Sequence, residues 1–317
     1  MNDAKTRPLG GSDLNVPRLC LGGNVFGWTA DEPTSFRVLD DYVAGGGTFV
    51  DTADVYSAWA PGHRGGESET VIGRWLADRG RPEGLVVATK VSEHPEFRGL
   101  SAANVHAAAD ASRKRLGVDA IDLYYAHSDD ADTPLEESAR AFSELVDAGE
   151  VRYIGLSNHT PDRIRAWLDI CADRGLHAPV CVQPHYSLLE RGAEDALIPL
   201  ARERGLALLP YHGLARGFLT GKYRPGGPDV DSPRAGRASA FLEDARAMRV
   251  LAALDTVAER LGVAQGAVAL AWLADRPTVA SVLASARGPE QLADLLPVDS
   301  LVLDEESTAL LTEASAA

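Results

Sequence analysis

Polar and titratable residues follow short apolar runs at seven places along the chain. The segments are FVDTADVY, VVATK, DLYYAH, IGLSN, VCVQ, LLPYH and VLASAR. They contain a carboxylate, an ammonium, imidazoles, phenols, amides and hydroxyls. A general acid site needs a proton donor, a nearby charge that shifts the pKa of this donor, and a group that orients a carbonyl. We therefore interpret the ends of these runs as candidate catalytic positions.

Lys90 is the sharpest single signal among them, because only four of the 31 basic residues are lysines. Asp51 ends the preceding apolar run and can supply the countercharge that a buried ammonium needs. We expect a Lys90–Asp51 pair beside Tyr56, with the cation lowering the pKa of the phenol toward the working pH. A neutral His127 could donate a hydrogen bond to a carbonyl oxygen and orient it.

The elements that must position these residues are short β-branched runs that alternate with longer amphipathic stretches. This alternation is typical of an α/β fold with a parallel sheet, and eight units favour a closed (β/α)8 TIM barrel over an open sheet. Catalytic groups of such barrels lie at the C-terminal ends of the strands, so the candidates should surround one mouth. We expect a single domain over residues 1–317.

The predicted strands are Arg18–Gly22, Thr48–Thr52, Leu85–Lys90, Ile121–Ala126, Tyr153–Leu156, Val180–Gln183, Leu206–Pro210 and Val279–Ala284. The predicted helices are Thr34–Ala44, Glu67–Asp78, Ala102–Leu116, Leu135–Asp147, Pro161–Arg174, Ala193–Glu203, Val263–Asp275 and Glu290–Leu295. Outside the repeat we expect an N-terminal hairpin in RPLGGSDLNVP and extra C-terminal helices at Ala240–Leu261 and Glu305–Ala314. The Gly- and Pro-rich excursion Tyr223–Ser239 follows the seventh strand, on the face where barrels keep their sites.

The composition argues against several classes of partner. A net charge of −15 and a pI near 4.9 disfavour nucleic acid, and they require local positive groups around any anionic cofactor. The three cysteines have no CxxC spacing and no secretory pattern opens the sequence, so we expect a cytoplasmic protein. No apolar run has the roughly 18 residues of a membrane span, and no zinc-ligand spacing predicts a metal.

The motifs FVDTADVY, VATK, YYAHSDD, IGLSNH, QPHYSLLER and LARGFLTGKY together resemble the aldo-keto reductase superfamily. The resemblance spans most of the chain and is strongest to the branch of bacterial general reductases and potassium-channel β subunits. It implies reduction of a small-molecule aldehyde or ketone by hydride transfer from NADPH. It also implies a catalytic tetrad with Tyr56 as the proton donor, comprising Asp51, Tyr56, Lys90 and His127.

The same resemblance implies a set of residues for the cofactor NADPH/NADP+. Ser157, Asn158 and Gln183 would bind the nicotinamide carboxamide, Tyr211 would stack on its ring, and Gly23, Asn24 and Asp51 would lie nearby. The diphosphate would lie under a belt formed by Gly213, Leu214, Arg216, Gly217 and Lys222. The adenosine 2′-phosphate end would meet Ser285, Arg287 and Gln291. No G-x-G-x-x-G follows a strand, which argues against a Rossmann site.

Three departures from the family pattern bear on the pocket. The loop SAWAPGHRGGESE after Tyr56 is longer than usual, so Trp59 and His63 could project over the substrate. Trp28 of the first loop is also predicted to contact substrate, together with Tyr56 and His127. His212–Gly213 stands where Ser-Pro is common, and Leu295 stands where an Asn is common, so adenine contacts could be weaker.

Two other functions fit parts of the sequence. A lyase or aldolase could use Lys90 as a Schiff-base nucleophile. A nucleotide-bound barrel could instead sense redox state for a partner, as channel β subunits are thought to do. The amide and hydroxyl set, Tyr211 and the arginine of the eighth loop favour the reductase over the lyase. The physiological substrate and the oligomeric state are left open by the sequence.

Overall fold

A computed structural model describes residues 6–316 of the protein, and twelve strands occur in this range. Their bounds are β1 (Arg7–Pro8), β2 (Asn15–Val16), β3 (Leu19–Gly22), β4 (Phe49–Asp51), β5 (Val86–Val91), β6 (Glu93–His94), β7 (Phe97–Arg98), β8 (Ile121–Ala126), β9 (Val151–Ser157), β10 (Cys181–Gln183), β11 (Ala207–Leu208) and β12 (Val282–Ala284). Each barrel strand lies at a place where the sequence predicts one, to within a few residues.

Eight parallel strands form the central sheet, in the order β11-β10-β9-β8-β5-β4-β3-β12. Backbone hydrogen bonds join its two edges: Leu208 N donates to Thr278 O at 2.8 Å, and Ala280 N donates to Leu208 O at 3.0 Å. A third bond runs from Leu283 N to Pro210 O at 2.9 Å. The sheet therefore closes on itself, and the predicted (β/α)8 barrel is confirmed. The irregular seam explains why β11 and β12 are shorter than predicted.

Helices follow the strands on the outside of the barrel. They are α1 (Glu32–Ala44), α2 (Glu67–Arg79), α3 (Ala102–Leu116), α4 (Leu135–Asp147), α5 (Pro161–Arg174), α6 (Leu197–Arg204), α7 (Ala235–Ser239), α8 (Ala245–Leu261), α9 (Gln265–Ala274), α10 (Pro289–Leu295) and α11 (Glu305–Ala314). Short 3-10 turns lie at Gly192–Glu194, Ala215–Thr220, Ala240–Glu243 and Leu296–Asp299. Side-chain caps begin several helices: Asp31 accepts from Thr34 N at 2.9 Å and Thr160 from Arg163 N at 3.3 Å.

The predicted N-terminal hairpin is present, with β1 antiparallel to β2. Its buried residues Leu9, Leu14 and Val16 pack in one cluster with Cys20, Phe49, Ala88, Leu123 and Cys181, which face the barrel interior. The hairpin therefore covers the end of the barrel opposite the candidate site. A second hairpin, β6–β7, follows β5 and does not correspond to any predicted element.

The excursion after the seventh strand departs from its prediction. The short helix α7 lies within the predicted excursion, and the predicted helix over Ala240–Leu261 is divided into a 3-10 turn at Ala240–Glu243 and α8. Asp244 separates them because its backbone is extended and its carboxylate accepts from Arg246 N at 2.7 Å. A carboxylate that binds helix N–H groups starts a helix more readily than it continues one.

Within residues 6–316, no individual helix has both the length and the apolar character of a membrane span. Helices α8 and α9 reach that level only when taken together, and they are bent by 100° relative to each other.

Candidate active site

A cavity of about 490 Å³ opens at the C-terminal ends of the barrel strands. Its size lies in the range of small-molecule and cofactor pockets. Tyr56 and His127 line one part of the cavity, while Ser285 and Arg287 line another. The barrel thus brings the loops after β4, β8 and β12 to one concave surface, as expected for the active face of this fold.

Lys90 lies behind this wall, with its side chain fully buried. Its ammonium donates hydrogen bonds to a carboxylate oxygen of Asp51, to the Thr52 carbonyl oxygen at 2.7 Å and to the Tyr56 hydroxyl at 3.1 Å. The other carboxylate oxygen of Asp51 accepts from Gln183 Nε2 at 2.9 Å. Burial acts to lower the pKa of Lys90, but Asp51 and Tyr56 outweigh it and the pKa lies above its ordinary value. The lysine is therefore a charged ammonium.

The pKa of Tyr56 corrects one step of the sequence argument. Burial raises the pKa of this phenol, while Lys90 lowers it and the Asp51 carboxylate raises it again. The net shift is upward, not toward the working pH. The sequence reveals the neighbouring ammonium, whereas the desolvation and the paired carboxylate depend on the fold. Tyr56 consequently keeps its proton at neutral pH and is available as a donor.

His127 is a neutral imidazole in this arrangement. Burial, followed by the charge of Lys90, holds the pKa of His127 well below its ordinary value. Its ring lies edge-on to Tyr56, with the ring centres 6.0 Å apart, and its Nδ1 has no hydrogen-bond partner within residues 6–316. A neutral ring beside the phenol fits the predicted role of orienting a carbonyl oxygen.

Asn158 joins three strand ends above the barrel. Its amide nitrogen donates to the His127 carbonyl oxygen at 2.8 Å, and its amide oxygen accepts from the Tyr211 hydroxyl at 2.7 Å. Ser157 Oγ donates to the Gln183 carbonyl oxygen at 2.9 Å. The Tyr211 ring stacks on His185, with ring centres 5.4 Å apart and planes inclined by 14°. These contacts fix the orientation of the Tyr211 ring at the cavity wall.

The belt after β11 bends sharply, with positive φ angles at His212, Ala215, Arg216 and Gly217. This path carries Arg216 and Lys222 to the cavity wall. Arg287 lies on the same wall, where its guanidinium donates to the Asp231 carbonyl oxygen at 3.1 Å. None of these three cations forms a salt bridge within residues 6–316. The cavity therefore holds the local positive groups that an anionic cofactor requires in an acidic protein.

Two tryptophans lie close to Tyr56. Trp28 lines the cavity, whereas Trp59 stands outside the wall with half of its surface exposed. Trp59 packs edge-on against Trp28 and Tyr56, with ring centres 5.5 and 6.1 Å apart. The longer loop after Tyr56 thus places an aromatic side chain beside the mouth, although His63 from the same loop does not line the cavity.

Most residues predicted for the site share the cavity wall. They are Asn24, Trp28, Asp51, Tyr56, His127, Ser157, Asn158, Gln183, Tyr211, Gly213, Leu214, Arg216, Gly217, Lys222, Ser285, Arg287 and Gln291. Lys90 acts from behind the wall. Gly23 is displaced from it: Gly22 lines the cavity, while Gly23 packs behind, where an added Cβ would meet Ser68 Oγ at 2.8 Å.

The sequence reasoning missed Ser232, Pro233 and Arg234, which also line the cavity. The signal was present, since the excursion Tyr223–Ser239 follows a strand on the active face. That signal does not show which residues of the excursion turn toward the barrel.

Comparison with known proteins agrees with the fold and the geometry. The sequence model of the aldo/keto reductase family matches residues 18–316. The oxidoreductase YrpG of Bacillus subtilis (strain 168) is 35% identical over 96% of this chain and 94% of its own length. A probable voltage-gated potassium channel subunit beta of Arabidopsis thaliana is 33% identical, covering 94% of each chain. The aldo-keto reductase YhdN of Bacillus subtilis (strain 168) is 32% identical over 93% of this chain and 87% of its own.

The closed α/β barrel carries a buried lysine–carboxylate pair beside a tyrosine at its mouth, an arrangement that can serve as a general acid site. The chain belongs to the aldo/keto reductase family, and the resemblance read from the six motifs is confirmed. Membership supports, at this general level, carbonyl reduction with a nicotinamide cofactor.

Proposed function

We propose that this protein is an NADPH-dependent reductase that converts a small aldehyde or ketone to an alcohol, with Tyr56 as the general acid. The observation that carries the proposal is the position of the Lys90 ammonium, which donates to both the Asp51 carboxylate and the Tyr56 hydroxyl. Tyr56 in turn faces the cavity beside His127. A protonated phenol at this place can give its proton to a carbonyl oxygen.

The cavity suits a phosphorylated dinucleotide. Arg216, Lys222 and Arg287 line it with no carboxylate partner among residues 6–316, and such cations favour phosphate groups. Bound NADPH would supply the hydride. We assign the nicotinamide end to Ser157, Asn158, Gln183 and Tyr211, the diphosphate to the belt Gly213–Lys222, and the 2′-phosphate end to Ser285, Arg287 and Gln291. Asn24 accepts a hydrogen bond from Ser285 Oγ at 2.6 Å, so we assign it beside the residues of the 2′-phosphate end and not near the nicotinamide.

Several residues of the chain have separate roles in the proposed reduction. His127, as a neutral donor, orients the carbonyl oxygen toward Tyr56. Tyr56 donates its proton as the oxygen gains negative charge. Lys90 stabilises the resulting phenolate, and Asp51 keeps the lysine charged and in place. Trp28 and Trp59 confine the rest of the substrate beside the mouth.

The geometry weighs against the lyase reading. A Schiff-base nucleophile must be an unprotonated amine that reaches the substrate. Lys90 is fully buried, uses its ammonium protons on three acceptors and has a raised pKa. The cytoplasmic location, the single-domain organisation and the lack of nucleic-acid or membrane partners stay predictions from the sequence.

The test is Tyr56→Phe, with NADPH oxidation followed by absorbance across a panel of aldehydes and ketones. We expect turnover to fall by about 10²–10⁴-fold, the usual contribution of general acid catalysis, while NADPH still binds. The matched control is Tyr153→Phe, because Tyr153 lies near the start of β9 and, within residues 6–316, its hydroxyl accepts only from Asp13 N at 3.2 Å. A Tyr56→Phe enzyme with wild-type turnover at saturating NADPH would remove the basis for the proposal.

A further inference from the structure

Tyr125 is a fully buried tyrosine inside the barrel that the proposed mechanism does not use. It lies on β8, where the strand register pairs it with Lys90 of β5 on one side and with Gly155 of β9 on the other. Paired residues of neighbouring strands point to the same face of a sheet, so the side chains of Tyr125 and Lys90 both enter the barrel interior. The lysine therefore has a second aromatic ring beside it, in addition to Tyr56.

Gly155 makes the space that the Tyr125 ring occupies. A Cβ added at Gly155 would lie 2.5 Å from Cδ1 of Tyr125, which is closer than real Cβ contacts. The same row of the barrel continues with Cys181 of β10, which pairs with Gly155. The Tyr125 hydroxyl accepts from Cys181 Sγ at 3.7 Å, so the ring lies across Gly155 toward that strand. The ring, and not the hydroxyl, is the part of Tyr125 that faces Lys90.

The Lys90 ammonium lies 5.6 Å from the centre of the Tyr125 ring and 4.8 Å from the centre of the Tyr56 ring. A cation within about 6 Å of the face of an aromatic ring is attracted to it, and the attraction is stronger where water is excluded. The ammonium already donates hydrogen bonds to Asp51, to the Thr52 carbonyl oxygen and to Tyr56. The Tyr125 ring therefore stabilises the charge without competing for a proton.

Tyr125 is a neutral phenol. Burial, followed by the neighbouring Cys181 thiol, raises the pKa of Tyr125 well above its ordinary value. Tyr125 also does not line the cavity, whereas Tyr56 does. It is thus not a second proton donor to the substrate, and its effect on the reaction must pass through Lys90.

We propose that Tyr125 is a positioning residue whose ring face holds the Lys90 ammonium charged and against Tyr56 during proton transfer. This inference rests on the proposed reductase function. As Tyr56 gives up its proton, the lysine must stay close to the phenol oxygen on which negative charge develops. The ring stabilises the ammonium in that place, and Gly155 leaves the room for the ring.

The first test compares Tyr125→Leu with Tyr125→Phe. Leucine has no aromatic face, whereas phenylalanine keeps the face and loses only the contact with Cys181. We expect Tyr125→Leu to lower kcat by about 3- to 30-fold with NADPH affinity unchanged, and Tyr125→Phe to retain kcat. The matched control is Tyr124→Leu, which should also retain kcat. Tyr124 is equally buried on β8 but points to the opposite face, where its ring centre lies 5.4 Å from that of Phe142.

The second test is thermal unfolding, which does not depend on turnover. Tyr125→Leu should lower Tm by about 2 °C more in the wild-type background than in Lys90→Met, because the ring attracts no charge once the ammonium is gone. Tyr124→Leu should lower Tm equally in both backgrounds. If Tyr125→Leu does not fold, Tyr125→Met provides the same comparison, since methionine adapts to fill irregular spaces.

The outcomes separate this inference from the proposed function. Equal Tm losses in the two Lys90 backgrounds, or wild-type kcat in Tyr125→Leu, would overturn the inference. A Tyr125→Phe enzyme as slow as Tyr125→Leu would also overturn it, because the loss would then come from the Cys181 contact and not from the ring. If wild type reduces no carbonyl compound in the panel, the proposed function fails, while the Tm comparison still decides whether the ring stabilises the ammonium.

Discussion

Replacing Lys90 by Met should destabilise the protein as well as inactivate it. The substitution keeps most of the side-chain volume but leaves the fully buried Asp51 carboxylate without its counterion. Removing one partner of a buried ion pair typically costs about 3–5 kcal/mol. Gln183 still donates to Asp51 at 2.9 Å, so we expect the lower part of this range. The corresponding drop in Tm is on the order of 4–6 °C for a chain of this size.

The size of the loss should depend on pH. Burial already raises the pKa of Asp51 despite the lysine, and losing Lys90 must raise it further. A carboxyl with a folded-state pKa above its unfolded value destabilises the fold increasingly as pH rises between those two values. The loss of stability caused by Lys90→Met should therefore be smaller near pH 5 than near pH 8. Thermal unfolding of wild type and variant at both pH values measures this difference in Tm.

A double variant separates charge from packing. Asp51→Asn combined with Lys90→Met removes the unpaired carboxylate and should recover part of the lost Tm. If the double variant is as unstable as Lys90→Met at every pH, the cost comes from packing and not from the buried charge. The reasoning about the ion pair would then be refuted, although the loss of turnover could persist.

Three further outcomes are expected. Arg287→Gln should weaken NADPH binding by about 10- to 100-fold and NADH binding much less, measured by fluorescence titration, since charge-assisted contacts to phosphate exceed neutral ones; an equal loss for both would contradict the 2′-phosphate assignment. Trp59→Ala should change the ranking of aldehydes in kcat/KM and leave NADPH affinity nearly unchanged, because Trp59 packs on Trp28 outside the cavity wall; the opposite pattern would place it in the cofactor site. Burial and Lys90 hold the pKa of His127 well below its ordinary value. The pH profile of kcat should therefore show no loss of activity with a midpoint near pH 6.5, which is the unperturbed pKa of histidine. An NMR titration should show that the His127 ring is neutral at pH 6.5.

The part of the site that could be predicted follows from the residue types at the ends of the apolar runs. A rare lysine after one apolar run and a carboxylate after the neighbouring run can be paired from the sequence, because parallel strands put both at the same end of the barrel. The structure places the Lys90 ammonium against Asp51 and Tyr56. The upward shift in the Tyr56 pKa could not be predicted, since it depends on how much water the surrounding atoms exclude.

Loops and helix interruptions were the least predictable features. The periodicity around Ala240–Leu261 is helical throughout, yet Asp244 caps the backbone and divides it. The position of Arg234 depends on a turn held by Ser232 and on a contact between Asp231 and Arg287, residues far apart in sequence. Contacts between residues that are far apart in the chain produce no periodic pattern in the sequence.

The sequence by itself determined the barrel, the mouth where its strands end and the residue types gathered there, because alternating apolar periods and strand-end side chains are local properties. Only the tertiary structure decided which face of each loop meets the cavity: Gly22 rather than Gly23 on the wall, Trp59 outside it and Arg234 within it. The tertiary structure also decided the protonation states of Tyr56 and His127. Exposure and charge–charge distances are set by packing between distant segments, so no local pattern specifies them.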